Sequence, residues 1–86
     1  MPEVSRFYGI VVRMFYNDHA PPHFHAVYSG KQALVDIESL SFFAGQISPR
    51  AKSLVLEWAE LHQDELRANW DLARRRQALQ SIDPLP

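Results

Sequence analysis

Along the first half of this chain, apolar positions recur every second residue; from about residue 48 they recur every third or fourth. The first rhythm belongs to strands and the second to helices. Residues 7–16, Phe-Tyr-Gly-Ile-Val-Val-Arg-Met-Phe-Tyr, are rich in β-branched and aromatic side chains and read as a strand. Tyr8, Ile10, Val12, Met14 and Tyr16 share one of its faces, and Phe7, Gly9, Val11, Arg13 and Phe15 the other. Both faces are largely apolar, which suits a central strand, or one whose Arg13 turns towards a polar site.

Residues 23–29 and 32–38 read as a hairpin around Gly30-Lys31, because a two-residue loop with glycine first suits a type II′ turn. Counting outward pairs Ser29 with Gln32, Tyr28 with Ala33, His25 with Asp36 and His23 with Glu38. One face is then Phe24, Ala26, Tyr28, Ala33, Val35 and Ile37, all core material. The other face carries His23, His25, Asp36 and Glu38. Residues 39–47 form a short fourth strand or a connector.

Ser48-Pro49 marks a helix start: serine caps free N–H groups, and proline suits the first helical position. Ala51, Leu54, Val55, Trp58, Leu61, His62, Leu66, Asn69 and Ala73 then follow at helical spacing, with no Gly or Pro before about Arg76. Asp64/Arg67 and Asp71/Arg74 are opposite-charge pairs three residues apart, worth a few tenths of a kcal/mol each. The pattern predicts one long helix, or two with a kink near His62-Gln63. The tail, Gln77 to Pro86, spaces Leu79, Ile82 and Leu85 so that it can fold back on the sheet. The expected architecture is α+β: a small antiparallel sheet of three to four strands packed against a long C-terminal helix or kinked helix pair.

With 86 residues, one domain spanning 1–86 is expected. The net charge of −1 supplies no global field for nucleic acid, and the absence of cysteine excludes disulfides and thiolate metal sites. Met1 to Arg6 lacks a signal-peptide pattern, and no apolar run approaches the roughly 20 residues that span a bilayer. These features lead to the expectation of a cytoplasmic protein without a membrane partner.

The chemistry is concentrated in Asn17-Asp18-His19-Ala20-Pro21-Pro22-His23-Phe24-His25, which holds three of the four histidines. Two prolines stiffen the link between His19 and the other two. Imidazole and carboxylate are ligands for zinc and similar divalent ions, so Asp18, His19, His23 and His25 form a candidate metal set, with Asp36 as an alternative carboxylate. Without a metal, His23 and His25 beside Asp36 could act as general base and acid on a phosphodiester, as in metal-free ribonucleases. A structural reading competes with both: the prolines set a tight entry into a strand, and His25–Asp36 is a cross-strand pair. So does a partner-binding patch. Arg74-Arg75-Arg76 sits where cations favour a helix C-terminus, which accounts for it more readily than nucleic-acid contact does.

Ser5-Arg6-Phe7-Tyr8-Gly9-Ile10, the histidine run with Ala26, and Glu57-Trp58-Ala59-Glu60-Leu61-His62 together resemble the small prokaryotic domain-of-unknown-function family 4160. The likeness extends to Ile37-Glu38, Glu65-Leu66, Asn69-Trp70 and Ile82-Asp83-Pro84-Leu85, with Ser39 where threonine is expected. The resemblance implies one half of a two-gene pair whose neighbour belongs to domain-of-unknown-function family 2442, similar to a toxin–antitoxin module. A protein partner encoded by the neighbouring gene is therefore expected, with a homo-oligomer as a further option and nucleic acid left open. The leading expectation is a partner-binding component with the His/Asp cluster as its functional face; the alternative is a ribonuclease-like hydrolase, with or without a divalent metal.

Overall fold

The computed structural model describes residues 3–86; Met1 and Pro2, part of the stretch read against the signal-peptide pattern, lie outside them. Five strands, β1 (Glu3–Phe7), β2 (Ile10–Arg13), β3 (His23–Tyr28), β4 (Lys31–Asp36) and β5 (Phe42–Gly45), precede two helices, α1 (Pro49–Leu61) and α2 (Gln63–Arg74). The strands form one antiparallel sheet in chain order. The α+β class is as expected, but the sheet has five strands rather than three or four.

The extra strand comes from Tyr8-Gly9. Both residues have positive φ, 49° and 81°, the requirement of a type I′ turn. The run 7–16 is therefore not one strand. It is the end of β1, a tight turn, β2 and the start of a loop. Ser29-Gly30 repeats the device with φ of 52° and 77°. Glycine stands second in this turn, not first, so the hairpin closes with Tyr28 opposite Lys31 and His23 opposite Asp36. The register differs from the expected one by two residues. Because side chains alternate with a period of two, a shift of two exchanges partners and preserves faces. Phe24, Ala26, Ala33, Val35 and Ile37 are all fully buried, as the alternation predicts.

The helical stretch breaks at His62, which closes α1 and opens α2 with φ −125° and ψ 23°. The kinked-pair alternative is the one adopted. Ser48 caps α1 by accepting from the Ala51 N–H at 3.2 Å, with Pro49 in the first turn. Trp58 is fully buried on α1 and meets Phe7 and Phe24 with ring centroids 5.3 and 5.8 Å away. This contact places α1 on the sheet face that carries Phe24.

The tail folds back as expected. The Ile82 N–H donates to the Val4 carbonyl at 2.8 Å, which ties the tail to edge strand β1. Asn69, buried on α2, bonds both ways with the Gln80 backbone at 2.9 Å, and the Trp58 indole N–H donates to the Asp83 carbonyl at 2.8 Å. Ile82 and Leu85 are buried beside them. Two polar side chains inside the helical stripe thus serve as attachment points for a segment without secondary structure, and a buried polar group with a partner avoids its desolvation penalty. Among the described residues, no helix is long and apolar enough to cross a membrane.

Candidate functional site

The loop between β2 and β3 begins from buried Met14 and returns at His23. It is pinned near its end, where the Pro22 carbonyl accepts from the Ile37 N–H at 3.0 Å, and near its tip, where the Arg76 guanidinium donates to Asn17 Oδ1 at 3.0 Å. The Ala20–Pro21 peptide is cis. Asp18 lies back over the first residues of β3. Its Oδ2 lies 3.1 Å from His23 Nε2 and 2.9 Å from His25 Nε2. One ligand atom from each of Asp18, His23 and His25 fits within a 4.8 Å span.

Three of the four candidate metal ligands therefore converge. His19 is exposed and stands outside this group. Asp36, the candidate catalytic carboxylate, is placed differently from the sequence expectation. It pairs with His23 in the ladder instead of His25, and its Oδ1 accepts from the backbone N–H groups of Glu38 and Ser39 at 2.8 and 2.9 Å. The Ser39 N–H, with that of Glu38 behind it, holds the Asp36 carboxyl below its ordinary range. Asp36 thus closes the turn after β4. Glu38 is drawn to α2, where Arg67 grips it at 2.9 Å and lowers its pKa. The carboxylate facing both imidazoles is Asp18. Arg13 lies opposite His25 in β2, but among the described residues it forms no ion pair with Asp18 or Asp36.

The second ring nitrogens decide what the cluster can do. His23 Nδ1 is 2.7 Å from the Pro21 carbonyl oxygen. A carbonyl only accepts, so Nδ1 carries the hydrogen. In neutral His23 the Nε2 is then a bare lone pair, 3.1 Å from Asp18 Oδ2. His25 Nδ1 makes a long contact of 3.4 Å with Gln32 Oε1. Packing fixes both rings. His23 has 7% of its surface exposed and lies between Trp70 and Phe43, with centroids at 5.4 and 5.6 Å. The Phe15 ring meets His25 edge-on at 4.5 Å. A proton on the imidazole or a metal ion shared with Asp18 relieves such an arrangement, and His25 Nε2 lies within hydrogen-bond distance of Asp18 Oδ2 at 2.9 Å. His23 also matches the usual metal-ligand histidine, whose far nitrogen donates to a carbonyl and thereby fixes the tautomer.

Sequence reasoning missed the Pro21 carbonyl and Gln32 because both contacts depend on loop geometry and register. Nothing local in the sequence links Arg74 and Arg76 to the site. The link needs the end of α2 to lie beside residue 17, some sixty positions earlier.

Fold and cluster together define a small α+β protein with a two-histidine, one-carboxylate site at the mouth of a β-meander. The chain belongs to the family described as domain of unknown function DUF4160, whose model matches residues 9–71. Comparison with curated proteins and with solved structures returned no match.

Proposed function

We propose that this chain binds one divalent metal ion, zinc by its ligand chemistry, through Asp18 Oδ2, His23 Nε2 and His25 Nε2. The observation that carries this reading is the 2.7 Å contact of His23 Nδ1 with the Pro21 carbonyl, which in the neutral ring leaves Nε2 free for a ligand bond. The separations of 3.1 and 2.9 Å between Asp18 and the two nitrogens also suit ligands sharing an ion. Bonds of about 2.1 Å put neighbouring ligand atoms roughly 3.0 Å apart at the 90° angle of octahedral geometry and roughly 3.4 Å apart in tetrahedral geometry. Three protein ligands leave a position for water, and an ion so held supplies an activated water for hydrolysis. The test is zinc titration of protein purified without a histidine tag and stripped with chelator. About one ion per chain is expected. Uptake below about 0.2 ion per chain, with no binding isotherm, would end the metal reading.

A second reading, the partner-binding component of a toxin–antitoxin-like two-gene module, draws on the exposed edge of the sheet. Phe43 is 47% exposed there on β5, an edge strand, and a protein partner can add to such an edge. Co-expression with the neighbouring gene product should then yield a complex that Phe43→Lys disrupts. Separate elution of the two wild-type chains would reject it.

A further inference from the structure

Beside the metal cluster lies an open cavity of about 310 Å³ whose walls include Tyr16, Asn17, Asp18, His19, Arg74 and Arg76. We infer that this cavity binds a phosphate group, and that phosphate monoesters are the ligand class presented to the Asp18–His23–His25 site. The inference deepens the metal reading, and rests on it in placing the anion beside an ion.

The charge balance of the cavity supports it. Two guanidiniums and an imidazole border the space, against one carboxylate. That carboxylate turns Oδ2 to His23 and His25. Among the described residues, neither Arg74 nor Arg76 forms an ion pair: Asp71, three positions before Arg74, does not pair with it. Arg67, by contrast, is held by both Glu38 and Asp64. A cation at a helix C-terminus has a sufficient explanation in the helix dipole, and that covers Arg74. It does not cover Arg76. This residue lies beyond the end of α2 at φ 56°, with its guanidinium donating to Asn17 in the histidine loop. A single hydrogen bond uses one of the five N–H donors of an arginine. The remaining donors are held beside the cavity by a side chain whose orientation is already set.

Phosphate fits this donor set better than a carboxylate does. A phosphate monoester offers three acceptor oxygens and close to two negative charges near neutral pH, whereas a carboxylate offers two oxygens and one charge. Two guanidinium forks and one imidazole can each engage a separate oxygen. The cavity is near the lower limit for small-molecule sites, about 300 Å³, which favours a phosphate with a small substituent over an extended polymer. The overall net charge of −1 argues likewise against a long polyanion.

The test is calorimetric titration of the full chain with inorganic phosphate and with phenyl phosphate at fixed ionic strength. It is run on stripped and zinc-loaded protein and on the Arg74→Gln and Arg76→Gln variants. Both arginines are exposed, so neither change removes packing. Wild-type protein should bind both probes, more tightly when zinc-loaded. Each variant should bind phosphate about tenfold more weakly, and Arg74→Gln, which removes no hydrogen bond to the histidine loop, should take up zinc as wild type does. Phenyl phosphate binding more tightly than inorganic phosphate supports the ester as ligand; the reverse order overturns the ester and leaves a phosphate site. Zinc uptake without phosphate binding, or binding unchanged in both variants, overturns the inference and spares the metal reading. Phosphate binding that both variants weaken, with no zinc uptake, removes the metal reading and leaves the cavity as an anion site.

Discussion

Replacing His23 with alanine is expected to weaken zinc binding by more than about a hundredfold, since loss of a mere outer-shell partner already costs 10–100-fold. Replacing His19 with alanine should leave zinc binding unchanged, although His19 belongs to the same sequence run. The difference follows from the geometry: His23 Nε2 is 3.1 Å from Asp18 Oδ2, whereas His19 is outside the converging group. His23 is also buried, so its removal leaves a void between Trp70 and Phe43 and lowers stability of the metal-free protein. Asp18→Asn separates the two effects. It keeps the volume, replaces the carboxylate with a weaker ligand, and should lose most of the zinc affinity with little change in packing. A second readout is thermal. An ion that binds only the folded state at a hundred times its Kd stabilises by about 2.7 kcal/mol. For a domain of this size that raises Tm by roughly 10–20 °C. Equal zinc affinity in wild type and His23→Ala would contradict the ligand assignment, as would a His19→Ala loss of the same size.

Trp58→Ala should remove a large share of the stability of the chain. Truncating a buried tryptophan costs about 3–5 kcal/mol, and a domain of 86 residues has roughly 4–13 kcal/mol in total. Trp58 stands near the top of the range because it joins three parts of the fold. Its ring packs on Phe7 of β1 and Phe24 of β3, while its indole N–H holds the tail at Asp83. Trp58→Phe keeps much of the apolar contact and orphans the Asp83 carbonyl, with an expected loss of about 1–2 kcal/mol. Urea denaturation followed by far-UV circular dichroism checks both values. A loss below about 1.5 kcal/mol for Trp58→Ala would mean that the helix and tail are held by something else.

The hairpin shows how far reasoning along the chain reaches. The identity of the core face was legible because alternation survives any even shift: Phe24, Ala26, Ala33 and Val35 point inward in the expected register and in the observed one. The partners were not legible. Type I′ and type II′ turns place glycine at different positions, and one wrong choice at residues 29–31 moved Asp36 from His25 to His23. Tyr8-Gly9 is the same ambiguity with a larger consequence, since it hid a whole strand inside an apparently continuous apolar run. The helix break at His62 was visible as an option. Choosing between one helix and two depended on where Gln63 and Arg67 meet the end of β4: Gln63 donates to the Ile37 carbonyl at 2.7 Å and Arg67 pairs with Glu38.

What the sequence determined by itself were the quantities set by neighbours along the chain: strand and helix periodicity, the helix start at Ser48-Pro49, the inward faces, and the concentration of imidazole within residues 19–25. The tertiary structure decided which carboxylate completes the cluster and which cations border it. Asp18 reaches both imidazoles only because the proline-containing loop doubles back on β3, and Arg76 reaches Asn17 only because α2 ends there. Contacts between residues remote in sequence depend on loop closure and packing, which local propensity does not encode.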